Sequence, residues 1–145
     1  MLGIYSQMIH LIYISSATRI PSEKDLLELL AQSRSRNIKQ NITGLLLYRN
    51  GIYMQLLEGN KKDVHEIFAS IQKDSINTGV AKLIEEGIIQ RDFPAWSMGF
   101  KNLESCTPQE LPGFVDIFNG NLDKDFMVKN KSDAVEFIMN FAKNA

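Results

Sequence analysis

The sequence holds a single cysteine, Cys106, so no internal disulfide can form and a reducing, cytoplasmic setting is expected. It has no basic excess: 16 Lys and Arg stand against 17 Asp and Glu, for a formal net charge of -1. A phosphate backbone would find little counter-charge here, and no nucleic-acid partner is expected. No apolar run approaches the roughly 18 residues that a membrane span needs, so no membrane partner is expected either. The apolar start MLGIYSQMIHLIYISS lacks the basic leader and small-residue cleavage site of a signal peptide and reads as a strand. Phosphate-binding loops and dinucleotide glycine patterns are missing. The two histidines, His10 and His65, fall on different predicted elements without a second ligand nearby, which speaks against a metal site. Cys106 has no histidine placed to activate it and reads as a loop thiol. Glu85-Glu86 and the pair Asp123 and Asp125 read as solvated surface. These absences together point away from an enzyme.

What is present is ordinary globular material: 145 residues, 44% hydrophobic and 23% charged, enough for one domain with its own core. The run Ile9 to Ile14 is β-branched and apolar on both alternating faces, as in a central strand. Pro21 and Ser22 open a helix, with Asp25 placed for a capping box. Leu26, Leu27, Leu29, Leu30 and Ser33 form its inward stripe, and Arg34, Arg36 and Lys39 suit its C-terminal dipole. Two strands, Ile42 to Arg49 and Ile52 to Glu58, flank Asn50-Gly51, a strong hairpin signal. A second helix runs from Lys61 to Lys73, capped by Asn60, with Val64, Ile67, Phe68 and Ile71 on one face. Strands near Val80 to Glu86 and Ser97 to Leu103 flank the loop RDFPAW. The order βαββαββ predicts an α+β, ferredoxin-like mixed sheet with both helices on one face. Beyond it, Leu111 to Phe118 reads as a short helix and Ser132 to Lys143 as a longer amphipathic one. These C-terminal helices are expected on the bare side of the sheet.

A small set of residues sits oddly in this pattern. Tyr13 lies in the first strand on the face of Ile9 and Leu11. Gln55 interrupts the apolar run IYMQLLEG, where an amide needs partners. Asn37 stands where the first helical stripe ends, and Trp96 and Met98 introduce the fifth strand. Taken singly, Tyr13, Trp96 and Met98 also read as core packing, Gln55 as a sheet-bound amide, and Asn37 as a helix C-cap.

Taken together, LIYIS, the segment from Asn37 through NITGLLLY, GIYMQLLEG and FPAWSM resemble the BLUF domain, a flavin-binding blue-light sensor, over about Ile9 to Leu103. The resemblance implies a BLUF domain over residues 8–104, of the short stand-alone type, and a C-terminal helical extension over 105–145. It implies a bound flavin, FAD by family, with FMN or riboflavin as alternatives. Tyr13 and Gln55 match the photochemical pair, Asn37 the asparagine on the ring's pyrimidine edge, and Trp96 and Met98 the switch-associated residues of the fifth strand. Leu29 and Ile71 stand on the inward helix faces, where they can sandwich a ring, and Arg36 is placed to reach a ring carbonyl or a phosphate. After the second helix many relatives carry Arg and His where this chain has Asp74-Ser75-Ile76-Asn77, which leaves phosphate anchoring there unassigned. Rotation or tautomerisation of the Gln55 amide would reverse hydrogen-bond polarity between Tyr13 and the flavin. The fifth strand is expected beside the third and is expected to carry the change to the C-terminal helices. The stretch after Leu103 is too short for a catalytic output domain, so a homo-oligomer and a separate protein partner are expected. The alternatives are a ferredoxin-like module for another ligand or for protein contacts without photochemistry, and a small hydrolase or isomerase on the same scaffold.

Overall fold

The structure, a computed structural model, describes residues 7–94, 97–102 and Ile138. Trp96, Cys106, Asp123, Asp125 and the helices expected at Leu111 to Phe118 and Ser132 to Lys143 lie outside it, apart from Ile138, which is helical and buried. Seven elements follow in chain order: β1 (Met8–Ala17), α1 (Glu23–Lys39), β2 (Thr43–Arg49), β3 (Ile52–Asn60), α2 (Lys61–Lys73), β4 (Asn77–Gly87) and β5 (Gly99–Asn102). They form the ferredoxin-like α+β arrangement.

Local chemistry sets the element ends. Ser22 and Asp25 exchange the two hydrogen bonds of a capping box at the start of α1. Asn60 caps α2 by accepting from the Lys62 N–H. Asn50 and Gly51 both adopt positive φ, 48° and 79°, as a two-residue turn between right-twisted strands requires. That turn pairs Arg49 with Ile52 and fixes the register of the whole β2–β3 ladder.

The sheet has the order β4-β1-β3-β2-β5. All pairings are antiparallel except β2 with β5, which is parallel. Here the sequence expectation needs correction: β5 does not lie beside β3. The hairpin places β2 along one edge of β3 and β1 takes the other, so no edge of β3 is left for β5, which adds outside β2.

Alternation along the central strands divides the core into two layers. Ile9, Leu11 and Tyr13 of β1, Leu46 and Tyr48 of β2, and Tyr53 and Leu57 of β3 pack with Leu26 and Leu30 of α1 and Val64, Ile67 and Ile71 of α2. Both helices therefore cover one face. The intervening residues Ile12, Leu45, Leu47, Met54 and Leu56 are buried as deeply and belong to the other face.

Candidate functional site

Register brings the two unusual strand residues together. Tyr13 of β1 is the cross-strand partner of Gln55 of β3, and Gln55 in turn is the partner of Leu46 of β2. Directly opposed residues project to the same face, here the helix face. The Tyr13 hydroxyl donates to Gln55 Oε1 at 2.5 Å, and Gln55 Nε2 donates to Met98 Sδ at 3.5 Å. All three side chains are buried, Tyr13 at 4%, Gln55 at 3% and Met98 at 1% exposure. Met98 thus points inward. The Tyr13 ring tilts against Phe68 of α2 with centroids 5.5 Å apart.

Burial pushes the Tyr13 phenol far above its usual range, with Arg36 opposing the shift and Asp74 adding to it. Tyr13 is consequently a neutral hydrogen-bond donor at any physiological pH. Tyr53 is pushed up to about 12, mainly by burial. Burial also lowers the Arg36 guanidinium pKa, against the pull of Tyr13 and Asp74.

Above the Tyr13–Gln55 pair a cleft separates α1 from α2. Its floor is a cavity of about 30 Å³ lined by Tyr13, Gln55, Leu29, Arg36 and Ile71 among others, five of the residues picked out from sequence. Asp74 and Asn77 also line it. An outer pocket of about 340 Å³ shares Leu29, Gln32, Tyr53 and Ile76 with it and opens past Thr18, Arg19 and Ser75. The floor alone is far below the roughly 300 Å³ of a small-molecule site, whereas the two together reach that scale.

The polar atoms fit such a guest. Ser15 Oγ, Arg36 Nε, Asn37 Oδ1 and Asn77 Oδ1 are buried without a hydrogen-bond partner. Each such group costs about 1–3 kcal/mol. Three of these four residues, Ser15, Arg36 and Asn77, line the cavity floor. A planar heterocycle rich in carbonyls and ring nitrogens is the kind of ligand that would satisfy them.

Asn37 differs from the simple capping interpretation. α1 continues through Lys39 and is capped by Gln40, so Asn37 lies inside the helix, fully buried on the stripe of Leu30 and Ser33. Its Nδ2 donates to the Ser97 carbonyl at 2.6 Å, and Arg34 Nε donates to the Met98 carbonyl at 3.1 Å. Asn37 does not line the cavity floor, but its unpaired Oδ1 retains acceptor capacity. Ser15 and Asn77 were not singled out from sequence as ligands. Ser15 carried a cue, because it follows Tyr13 by two residues in a strand; Asn77 carried none. Glu85 and Glu86 lie at the surface, as expected, and form ion pairs there: Glu85 with His65 at 3.1 Å and Lys82 at 3.0 Å, and Glu86 with buried His10 at 2.8 Å.

The family model BLUF, "Sensors of blue-light using FAD", matches residues 8–99. The chain belongs to the BLUF family. Its fold and its Tyr13–Gln55 bond are those of a flavin-using blue-light sensor, which sets aside a ferredoxin-like module without photochemistry. A photoactivated adenylate cyclase subunit beta from Euglena longa is 37% identical over 110 residues, covering 75% of this chain and 12% of that relative. A bacterial light-regulated adenylyl cyclase structure is 34% identical with a TM-score of 0.67, covering 69% of this chain and 29% of that one. The dark-state structure of BlrB, a BLUF protein, shares the fold at 22% identity and a TM-score of 0.69, over 97% of this chain and 98% of that one. The chain spans only 12% of the cyclase subunits' length, so the BLUF portion is what they have in common. Among the described residues no helix is long and apolar enough to cross a membrane.

Proposed function

We propose that the BLUF domain of this chain holds its flavin between α1 and α2 and converts absorbed blue light into a reversal of the Tyr13–Gln55 hydrogen bond. The observation that carries this reading is the buried run Tyr13–Gln55–Met98 beneath the cleft. Leu29 and Ile71 flank the ring by apolar contact. Arg36 faces a ring carbonyl, and Asn37 Oδ1 takes an N–H of the pyrimidine edge. Bound flavin supplies blue absorption and a strongly oxidising excited state.

Beside an excited flavin, Tyr13 would be the electron donor to the ring, and its hydroxyl would release its proton along the bond to Gln55. Burial raises its pKa, so the phenol is protonated and able to donate before illumination. Gln55, once rotated or tautomerised, would present its opposite end to Tyr13. A net hydrogen bond of about 1 kcal/mol, larger in a dry pocket, biases a near-balanced pair of states several-fold. Met98, in contact with Gln55 Nε2, meets the changed amide first, and Trp96 lies two residues away in the chain.

The flavin is FAD, following the family description, with FMN and riboflavin as competing ligands. At the outer mouth Arg19 is paired with Asp25 at 3.4 Å and Glu28 stands nearby, so phosphates gain little there and the ring dominates binding. The domain serves as a cytoplasmic sensor without catalytic chemistry of its own, signalling to a separate protein partner as a homo-oligomer. Residues 105–145 form the helical extension over the second sheet face; the burial of that face and of Ile138 supports this.

An absorption spectrum before and after blue illumination tests the reading. Purified protein is expected to be yellow and to red-shift reversibly by a small amount. Tyr13→Phe and Gln55→Ala are expected to keep the colour and lose the shift. A normal shift in either variant refutes the mechanism.

A further inference from the structure

β3 presents two polar side chains to opposite faces of the sheet, three residues apart. Gln55 faces the helices. Glu58 faces away and is fully buried. The Glu58 carboxylate accepts from the backbone N–H groups of Asp92 at 2.8 Å and Phe93 at 2.7 Å, and from Thr43 Oγ1 at 2.9 Å. Arg91 completes the clamp, donating to Thr43 Oγ1 at 2.8 Å, to the Glu58 carbonyl at 3.0 Å and to the Asn41 carbonyl at 2.7 Å. Residues 91–93 are thereby fixed to the ends of β2 and β3.

An apolar side chain of similar size would fill this position without the cost of burying a charge. Burial raises the Glu58 pKa, and the Asp92 and Phe93 N–H groups only partly offset that cost. The carboxylate is better explained by what it fixes in place. A few residues on, Met98 receives the Gln55 amide, while Asn37 and Arg34 hold the carbonyls of Ser97 and Met98. One strand therefore grips the same stretch of chain twice, through Glu58 at residues 92 and 93 and through Gln55 at residue 98.

We propose that Glu58 is a positioning residue of the photoswitch, acting from the face of the sheet opposite the flavin. It pins residues 91–93 so that a change at Gln55 displaces Met98 and β5 against a fixed point. The same pin sets how firmly Met98 bears on Gln55, and hence the barrier that the amide crosses on its way back to the dark state. This inference rests on the Tyr13–Gln55 switch proposed above.

Glu58→Gln tests it. Glutamine keeps the size and one acceptor oxygen but turns an amide NH₂ toward one of the donors. The expected variant is yellow, retains the light-induced red shift, and recovers in the dark about fivefold faster, as the loss of one buried hydrogen bond implies. Thr43→Val, which removes one donor to Glu58 and one acceptor for Arg91, is expected to speed recovery about twofold. A lowered melting temperature with unchanged recovery in Glu58→Gln is what a purely structural role gives, and overturns the proposal. If Glu58→Gln does not fold, Thr43→Val decides alone, with unchanged recovery again the overturning result. Absence of any red shift in the unmodified protein removes the switch itself and this inference with it, an outcome visible before any variant is made.

Discussion

Tyr13 and Tyr53 are tuned by their surroundings rather than by an ionic partner. Both hold their protons more tightly in the folded chain than in the unfolded one, where tyrosine ionises near 10. Below pH 10 both states keep these protons and stability is unaffected. From pH 10 upward the unfolded chain releases them first, so stability falls as pH rises toward about 12, where Tyr53 ionises in the fold. Urea midpoints at pH 8, 10 and 11.5 are expected to show the drop only in the last step, and Tyr53→Phe is expected to reduce it. Equal midpoints at all three values contradict the assigned burial. The same two strands explain what sequence alone discloses at this scale. Tyr13 and Gln55 are legible because period-two alternation puts each polar group on a face otherwise apolar. Met98's inward aim is not legible, because it precedes β5 and is set by hydrogen bonds from Arg34 and Asn37, about sixty residues back in the chain. The C-cap interpretation of Asn37 fails for a related reason. No glycine marks the end of α1, so the helix runs three residues on to a cap at Gln40.

Elements here are held by close backbone approach as much as by side chains. A Cβ added to Gly44 of β2 would lie 1.9 Å from the Leu56 carbonyl oxygen of β3. Because that neighbour is backbone, neither strand can yield without breaking ladder bonds. Gly44→Ala is therefore expected to cost about 3 kcal/mol or more and to lower the melting temperature by roughly 10 °C. A variant that melts with the parent protein would show that the two strands tolerate separation. Met98 immediately precedes Gly99, the β5 partner of Leu45, so it sits at the level of Gly44 in the next strand. Helices, caps and the Asn50-Gly51 hairpin are readable locally, since each depends on contacts a few residues apart. The placement of β5 outside β2, rather than outside β4 at the other edge, depends on contacts made across the sheet. That is a property of the assembled sheet, and local pattern cannot encode it.

For the molecule as a whole, the deciding quantity is the apolar area on the face away from the helices. Ile12, Leu45, Leu47, Met54 and Leu56 are each at most 2% exposed. Burying five such side chains contributes about 10 kcal/mol. That is comparable to the entire stability of a domain, which is about 5–15 kcal/mol. A sheet with this face bare would not persist as a monomer. Under the proposal above, residues 105–145 are the cover, a reading that the buried, helical Ile138 supports. Removing residues 105–145 is accordingly expected to expose the five side chains together. The shortened chain should bind a hydrophobic dye strongly, and should self-associate or melt at least 15 °C lower, in line with the scale of the loss. A shortened chain that stays monomeric, binds no dye and keeps its melting temperature would assign the covering role to other residues.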